Sequence, residues 1–155
     1  MRIFLTLILV FITLQAEQKV EVKAESFEAD EKKNITIFRG DVTLTKGDDS
    51  LIADKVTIFF DKSKKPLHYE ASGNVRFKVS VNEKGLYEGK SDKLVYEPLK
   101  NSYNLFGNVQ VEDVTSERKL IGNEIMLDLD NGHAKVIGKK KKPVIMTFSI
   151  EEKSK

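Results

Sequence analysis

The residues of this chain that could do chemistry are few and scattered. Its two histidines, His68 and His133, are far apart in sequence, and no H-x-x-x-H pair, G-x-S-x-G elbow or phosphate-binding glycine loop accompanies them. There is no cysteine, so a disulfide, a thiolate metal site and a thiol nucleophile are all excluded. Asp128-Leu129-Asp130-Asn131-Gly132 has the oxygen-rich start of a calcium loop, but lacks the further acidic spacing and the closing glutamate. It reads as a hairpin turn. Glu151-Glu152 stands in a charged tail, where paired carboxylates are simply solvated. The runs Lys139-Lys140-Lys141-Lys142 and Lys62, Lys64 and Lys65 could meet phosphate or an acidic partner, or face water as plain charge. No catalytic residue, no metal site and no cofactor is expected, and the chain does not read as an enzyme.

The elements around these residues read as strands. Val75-Arg76-Phe77-Lys78-Val79-Ser80-Val81 alternates without error, as do Val109-Gln110-Val111-Glu112 and, apart from Met126, Ile125 to Asp130. Val56 to Asp61 has one strongly apolar face. Period two, apolar on one side and charged on the other, marks half-buried antiparallel strands. No window of helical length has a 3.6-residue period. Turns are expected at Lys46–Ser50, Asp61–Pro66, Asn82–Gly85, Pro98–Asn101 and Asp130–Gly132, each carrying Gly, Asn, Asp or Pro. The composition, 40% hydrophobic and 32% charged, is that of a globular chain. Its 26 basic and 24 acidic residues nearly cancel, which gives no steering toward nucleic acid.

The strands repeat. Gly40-Asp41-Val42, Gly73-Asn74-Val75 and Gly107-Asn108-Val109 are spaced by 33 and 34 residues, and an echo follows at Gly138 after 31 more. A further strand in each unit opens with Ala53-Asp54-Lys55, Ser91-Asp92-Lys93 or Gly122-Asn123-Glu124. Glycine inside a strand pattern marks a bulge or a sharp bend. Counting from each glycine, positions −2, +2 and +4 stay apolar: Phe38, Val42 and Leu44; Ala71, Val75 and Phe77; Leu105, Val109 and Val111. One face therefore remains apolar through the bend. The expectation is an all-β fold of stacked units, a β-roll around one continuous apolar interior.

The first residues read as an export signal. Met1-Arg2 supplies a positive charge, Ile3 to Leu14 is apolar apart from threonines, and Gln15-Ala16 precedes the first acid, Glu17. Cleavage after Ala16 is expected. The apolar run is shorter than the about 20 residues a membrane span needs. Leu14 is bulky for its place three residues before the cut, which keeps an uncleaved membrane tether as the alternative. Residues 17–143 then form the repeated β-domain, and 144–155 a C-terminal edge strand and charged tail.

Ala24-Glu25-Ser26-Phe27-Glu28-Ala29-Asp30, the three Gly-Asx-Val motifs, Ala53-Asp54-Lys55-Val56 and Ser91-Asp92-Lys93-Leu94 together resemble the OstA-like family of periplasmic lipopolysaccharide-transport proteins. The likeness runs from about Val20 to Gly138. It implies an open, V-shaped β-jellyroll whose apolar groove holds the acyl chains of lipopolysaccharide (lipid A). The groove would be lined by Phe38, Val42, Leu44, Val56, Ile58, Phe60, Val75, Phe77, Val79, Leu94, Tyr96, Leu105, Val109, Val111, Ile125 and Leu127. It also implies a periplasmic location and pairing of edge strands, Val20 to Glu28 and Val144 to Ile150. Their partners would be an inner-membrane LptC-like component, an outer-membrane LptD-like component, and further copies of the chain head to tail. An LptC-like adaptor kept in the membrane, and a packed β-roll with no ligand, are the competing readings.

Overall fold

A computed structural model describes residues 19–80 and 85–151. The expected export signal, the tip of the turn at Asn82–Gly85 and the last four residues of the tail lie outside the described residues. The elements are β1 (Val20–Lys23), β2 (Ser26–Asp30), β3 (Ile35–Lys46), β4 (Asp49–Phe60), β5 (Pro66–Ser80) and β6 (Leu86–Glu97). A 3-10 turn at Pro98–Lys100 then leads to β7 (Ser102–Asp113), β8 (Arg118–Asp128), β9 (His133–Ile137) and β10 (Ile145–Thr147). All pairings are antiparallel. Consecutive strands from β3 to β8 are neighbours, and the sheet does not close on itself. The repeat is thus not a coil of a solenoid but a pair of bent antiparallel strands.

The bends are aligned. Every pairing from β3 to β8 slips in register at the repeated motif, between Arg39 and Val42, Ser72 and Val75, and Phe106 and Val109. There the odd strands carry two residues against one on the even strands, which is a β-bulge. The two residues on the odd strand are the Gly-Asx pairs, and all six have positive φ, such as +80° at Gly73 and +49° at Asn74. Glycine adopts that backbone freely and Asn or Asp with modest strain. The single residue opposite is an acid or amide. Asp54 Oδ2 accepts from Asn74 Nδ2 at 3.0 Å, and Asp92 Oδ2 from Asn108 Nδ2 at 3.0 Å. At the first corner the Glu25 side chain packs on Gly40 in the same way. This is why the Ala-Asp-Lys and Ser-Asp-Lys trios recur in phase with the glycines.

The bulges divide the sheet into two leaves. One contains β2, the motif-proximal halves Ile35–Arg39, Lys55–Phe60, Pro66–Ser72, Lys93–Glu97, Ser102–Phe106 and Glu124–Asp128, and β9. We call it the first leaf. The second leaf contains β1, the other halves of β3 to β8, and β10. The N-terminal segment expected as one edge strand is therefore two, β1 and β2, which share the edge of β3 and part at the bend, where Glu25 N–H donates to Arg39 and Gly40 carbonyls. Where the leaves meet, Val42, Val56, Val75, Leu105, Val109 and Ile125 are fully buried. They come from both leaves, so this dry seam joins them through the hydrophobic effect. Burying one such side chain stabilises by about 1.5–3 kcal/mol. The outer faces are wet, with exposed pairs such as Arg39–Glu28 at 3.4 Å and Lys78–Glu88 at 4.0 Å.

Candidate functional site: a groove between two leaves

Away from the seam the leaves diverge and leave two cavities between them. The narrower, about 140 Å³, lies under the N-terminal half and is lined by Val20, Leu44, Leu51, Phe77, Val79, Leu94 and three tyrosines, with Lys46 and Asp49 beside them. The wider, about 490 Å³, lies under the C-terminal half, lined by Tyr87, Leu105, Val111, Leu120, Leu127 and Met146, with Asp113, Arg118, Asp128 and His133 also bordering it. Phe77, Val79 and Tyr103 line both. The two spaces are thus successive chambers of one groove.

Register explains the walls. Across the first leaf, Ile58, Tyr69, Tyr96, Tyr103 and Leu127 are directly opposed on neighbouring strands. Cross-strand partners share a face, so they make one row. The rings of Tyr69 and Tyr96 lie 5.8 Å apart, and those of Tyr96 and Tyr103 stack at 4.5 Å. Burial pushes the phenols of Tyr69, Tyr96 and Tyr103 above their ordinary range, and Tyr103 is raised furthest. The tyrosines therefore stay neutral and add polar hydroxyls to the wall without adding charge. Across the second leaf, Val22, Leu44, Leu51, Phe77, Gly89, Val111 and Leu120 are opposed in the same way. Gly89 is the gap in that row, and Phe77 fills it. A Cβ at Gly89 would stand 2.3 Å from Phe77 Cζ and 2.7 Å from the Gln110 carbonyl oxygen.

The sixteen residues expected along the apolar face separate by depth. Val42, Val56, Val75, Val109 and Ile125 are sealed in the seam and line neither chamber. Leu44, Phe77, Val79, Leu94, Tyr96, Leu105, Val111 and Leu127 line one chamber or both. Ile58 is buried, and Phe38 and Phe60 pack against the same cluster from nearer the N-terminal edge. The structure adds Leu51, Tyr69, Tyr87, Tyr103 and Leu120, which the reading from the glycine phase missed. Tyr69 and Tyr103 are at position −4 in that phase and could have been found by extending it.

Three of the scattered polar residues have structural partners. His68 stacks on Phe59, ring centres 4.1 Å apart, on a strand. Asp128 accepts from the Asn131 backbone at 3.1 Å and its side chain at 2.7 Å, which makes the hairpin turn expected there. At the mouth of the wider chamber the Asp113 side chain is 8% exposed and pairs with Arg118 at 2.9 Å. The Ser116 hydroxyl, ahead of Arg118, holds the Asp113 carboxyl below the usual carboxylate range. Among the described residues no group of three or more His, Cys, Asp or Glu side chains could hold a metal ion.

Residues 21–133 match the family described as LptA/(LptD N-terminal domain) LPS transport protein. Over 74 residues the chain is 34% identical to the lipopolysaccharide export system protein LptH of Pseudomonas aeruginosa. That stretch is 48% of this chain and 37% of LptH, so the chain matches little more than a third of that relative's length. The fold is similar to the crystal structure of LptH, the LptA-homologous periplasmic component of the lipopolysaccharide transport device of that organism. The TM-score is 0.75 at 20% identity, covering 86% of this chain and 96% of the other.

Proposed function

Because the chain belongs to the LptA/LptD N-terminal domain family of lipopolysaccharide transport proteins, we propose that it carries lipopolysaccharide by holding acyl chains in the groove between its leaves. The observation that carries this reading is the pair of apolar chambers meeting at Phe77, Val79 and Tyr103. An acyl chain needs apolar area and no special residue type, since burial is worth about 25 cal/mol per Å² wherever it occurs. Leu44, Phe77, Val79, Leu94, Tyr96, Leu105, Val111 and Leu127 form the lipid-contacting set in this proposal. The seam valines and Ile125 hold the walls together.

The edges fit the second half of the role. Among the described residues, β1 and β2 leave one end of the sheet unpaired, and β9 and β10 the other. An unpaired edge is a template for strand addition. The C-terminal edge carries exposed Ile145, Met146, Phe148 and Ile150. Copies stacked head to tail would continue the groove, ending on an inner-membrane LptC-like and an outer-membrane LptD-like component. Residues 1–16 act as the export signal in this scheme, and the periplasm is the compartment.

The test is site-specific crosslinking. A photoreactive amino acid at Phe77 or Leu127, in chain exposed to purified lipopolysaccharide, is expected to capture it. The same group at Arg76 or Lys78, on the opposite face of the strand, is expected not to. Equal capture from both faces would refute the groove.

A further inference from the structure

The groove accounts for the apolar face but not for the lysines. Lys32, Lys33, Lys62, Lys64 and Lys65 stand on two adjacent turns at the rim of the first leaf, one between β2 and β3 and one between β4 and β5. The turns are tied together where Phe60 N–H donates to the Asn34 carbonyl at 2.9 Å. The longer loop is ordered by its own acid: Asp61 Oδ1 accepts the N–H of Ser63 at 2.8 Å and of Lys65 at 2.9 Å. That carboxylate is committed to backbone donors and pairs with no lysine. Among the described residues, none of the five ammonium groups has a carboxylate oxygen within 4.0 Å.

These two turns differ in sign from two turns on the opposite rim. With the strand-end residue Asp30 counted, segments 30–34 and 61–65 carry these five lysines against Asp30, Glu31 and Asp61, a net of +2. The segments 46–49 and 113–118 on the opposite rim carry Lys46 and Arg118 against Asp48, Asp49, Asp113 and Glu117, a net of −2. The basic rim also meets the apolar floor. Lys64 borders a cavity of about 220 Å³ together with Ala29, Thr36 and Phe60, with Asp30 and Glu31 on its other side. Phe60 belongs to the apolar cluster that lines the interior. The other lysine run is placed differently. Lys139 and Lys142 close on each other in a turn, with N–H to carbonyl distances of 2.8 and 3.0 Å. They lie against Asn108, Gly122 and Asn123 at the bend, far from the rim.

We propose that Lys62, Lys64 and Lys65, with Lys32 and Lys33, bind the phosphate groups of an anionic amphiphile whose acyl chains occupy the groove. The assignment rests on reading the groove as an acyl site. Single exposed ion pairs contribute little, but several ammonium groups within about one Debye length, 8–10 Å, sum their attraction for a multivalent anion. The arrangement fixes orientation: the head group lies at the first leaf's rim, toward the N-terminal chamber.

The test compares binding of purified lipopolysaccharide, the same lipid after enzymatic removal of its phosphates, and inorganic pyrophosphate to the full chain. The phosphorylated lipid is expected to bind about tenfold more tightly than the dephosphorylated one, a preference that shrinks as salt rises. K62E/K64E/K65E is expected to bring the ratio near one while leaving the dephosphorylated lipid's affinity unchanged. K140E/K141E is expected to keep the preference. All the substituted side chains are exposed, so the fold should persist, which circular dichroism checks. A preference that survives the triple change, or is lost in K140E/K141E, overturns the assignment. So does pyrophosphate binding as tightly as the lipid, which would mark a site for free phosphate. Wild-type chain that binds both lipids equally overturns the rim alone; chain that binds neither overturns the groove and the rim together.

Discussion

Gly73→Ala should destabilise the chain by about 2–3 kcal/mol, and about 0.5–1 kcal/mol of that should disappear when Asp54 is also alanine. The left-handed backbone at Gly73, φ +80°, costs an alanine about 1–2 kcal/mol. The new Cβ would also lie 2.4 Å from Asp54 Oδ2 and 2.8 Å from Asp54 Cβ. Rotation of the carboxyl relieves the first contact but not the second, so Asp54 must shift and release Asn74. Losing that exposed hydrogen bond adds about 0.5–1 kcal/mol. With Asp54→Ala already in place the Cβ contact and the backbone strain remain, but there is no hydrogen bond to Asn74 left to lose, so the double-mutant cycle should give a coupling of about 0.5–1 kcal/mol. Gly132 isolates the strain: its φ is +62° and nothing lies within 4 Å of its Cβ position, so Gly132→Ala should cost about 1–2 kcal/mol whatever is done at Asp54. Gly107→Ala with Asp92→Ala should repeat the Gly73 result, since its contact is also 2.4 Å. Urea unfolding by linear extrapolation measures each value, with unchanged slopes expected. If Gly73→Ala costs as much in the Asp54→Ala background as in the wild type, the account in which Asp54 must release Asn74 is wrong.

Three further changes probe the groove, its mouth and its edges. Gly89→Ala drives Phe77 off the second leaf and into the groove. It should lower stability by about 1–3 kcal/mol and weaken lipopolysaccharide binding, with Phe77→Leu restoring part of the binding; a variant that binds as wild type contradicts this packing. The Asp113 carboxyl is depressed in the folded state, chiefly by Ser116, so its contribution is present above the unfolded value of 3.8 and is lost as pH falls through the lower folded value. The urea midpoint of the wild type should therefore fall more steeply below about pH 4 than that of Asp113→Asn, and parallel curves would remove Asp113 from the acid transition. Chain ended at Pro143 lacks β10 and should lose concentration-dependent association in sedimentation; unchanged association would place the contact elsewhere.

The strands, the turns and the bend were legible because each leaves a local mark: alternation, Gly-Asx spacing, turn residues. The odd strands kept their apolar phase through the bend, 38 to 42 and 71 to 75, so their inward residues followed from counting. The even strands did not. A single bulge-facing residue, Asp54 or Asp92, stands opposite two, which shifts the alternation by one. Val56 and Ile58 face inward on even numbers, while Leu51 and Ala53 do so on odd ones. A strict period of two carried through Asp54 would put Leu51 outside, and Tyr87 and Leu120 are hidden by the same slip. Depth was not legible either. Val75 and Phe77 look alike in an alternating pattern, yet one is sealed in the seam and the other lines both chambers. That difference is set by the divergence of the leaves, to which no single strand's sequence refers.

The scarcity of chemical groups in this chain then has a physical meaning. A pocket that recognises a small polar molecule concentrates its affinity in a few oriented donors and acceptors. A groove walled by apolar side chains and neutral tyrosines distributes affinity over area, about 25 cal/mol per Å², so an acyl chain displaced along it exchanges one set of contacts for a similar set. Along such a wall no single contact need be broken without another forming, which suits the proposed carriage of acyl chains. Phe77, Val79 and Tyr103 line both chambers, so a chain that extends from one to the other touches all three. Of the charges that border the groove, those at the rims are the ones that meet a head group in the proposed reading. The seam, the tyrosine row and the lysine rim thus divide the work by depth: packing at the base, uniform apolar contact in the middle, and electrostatics at the mouth.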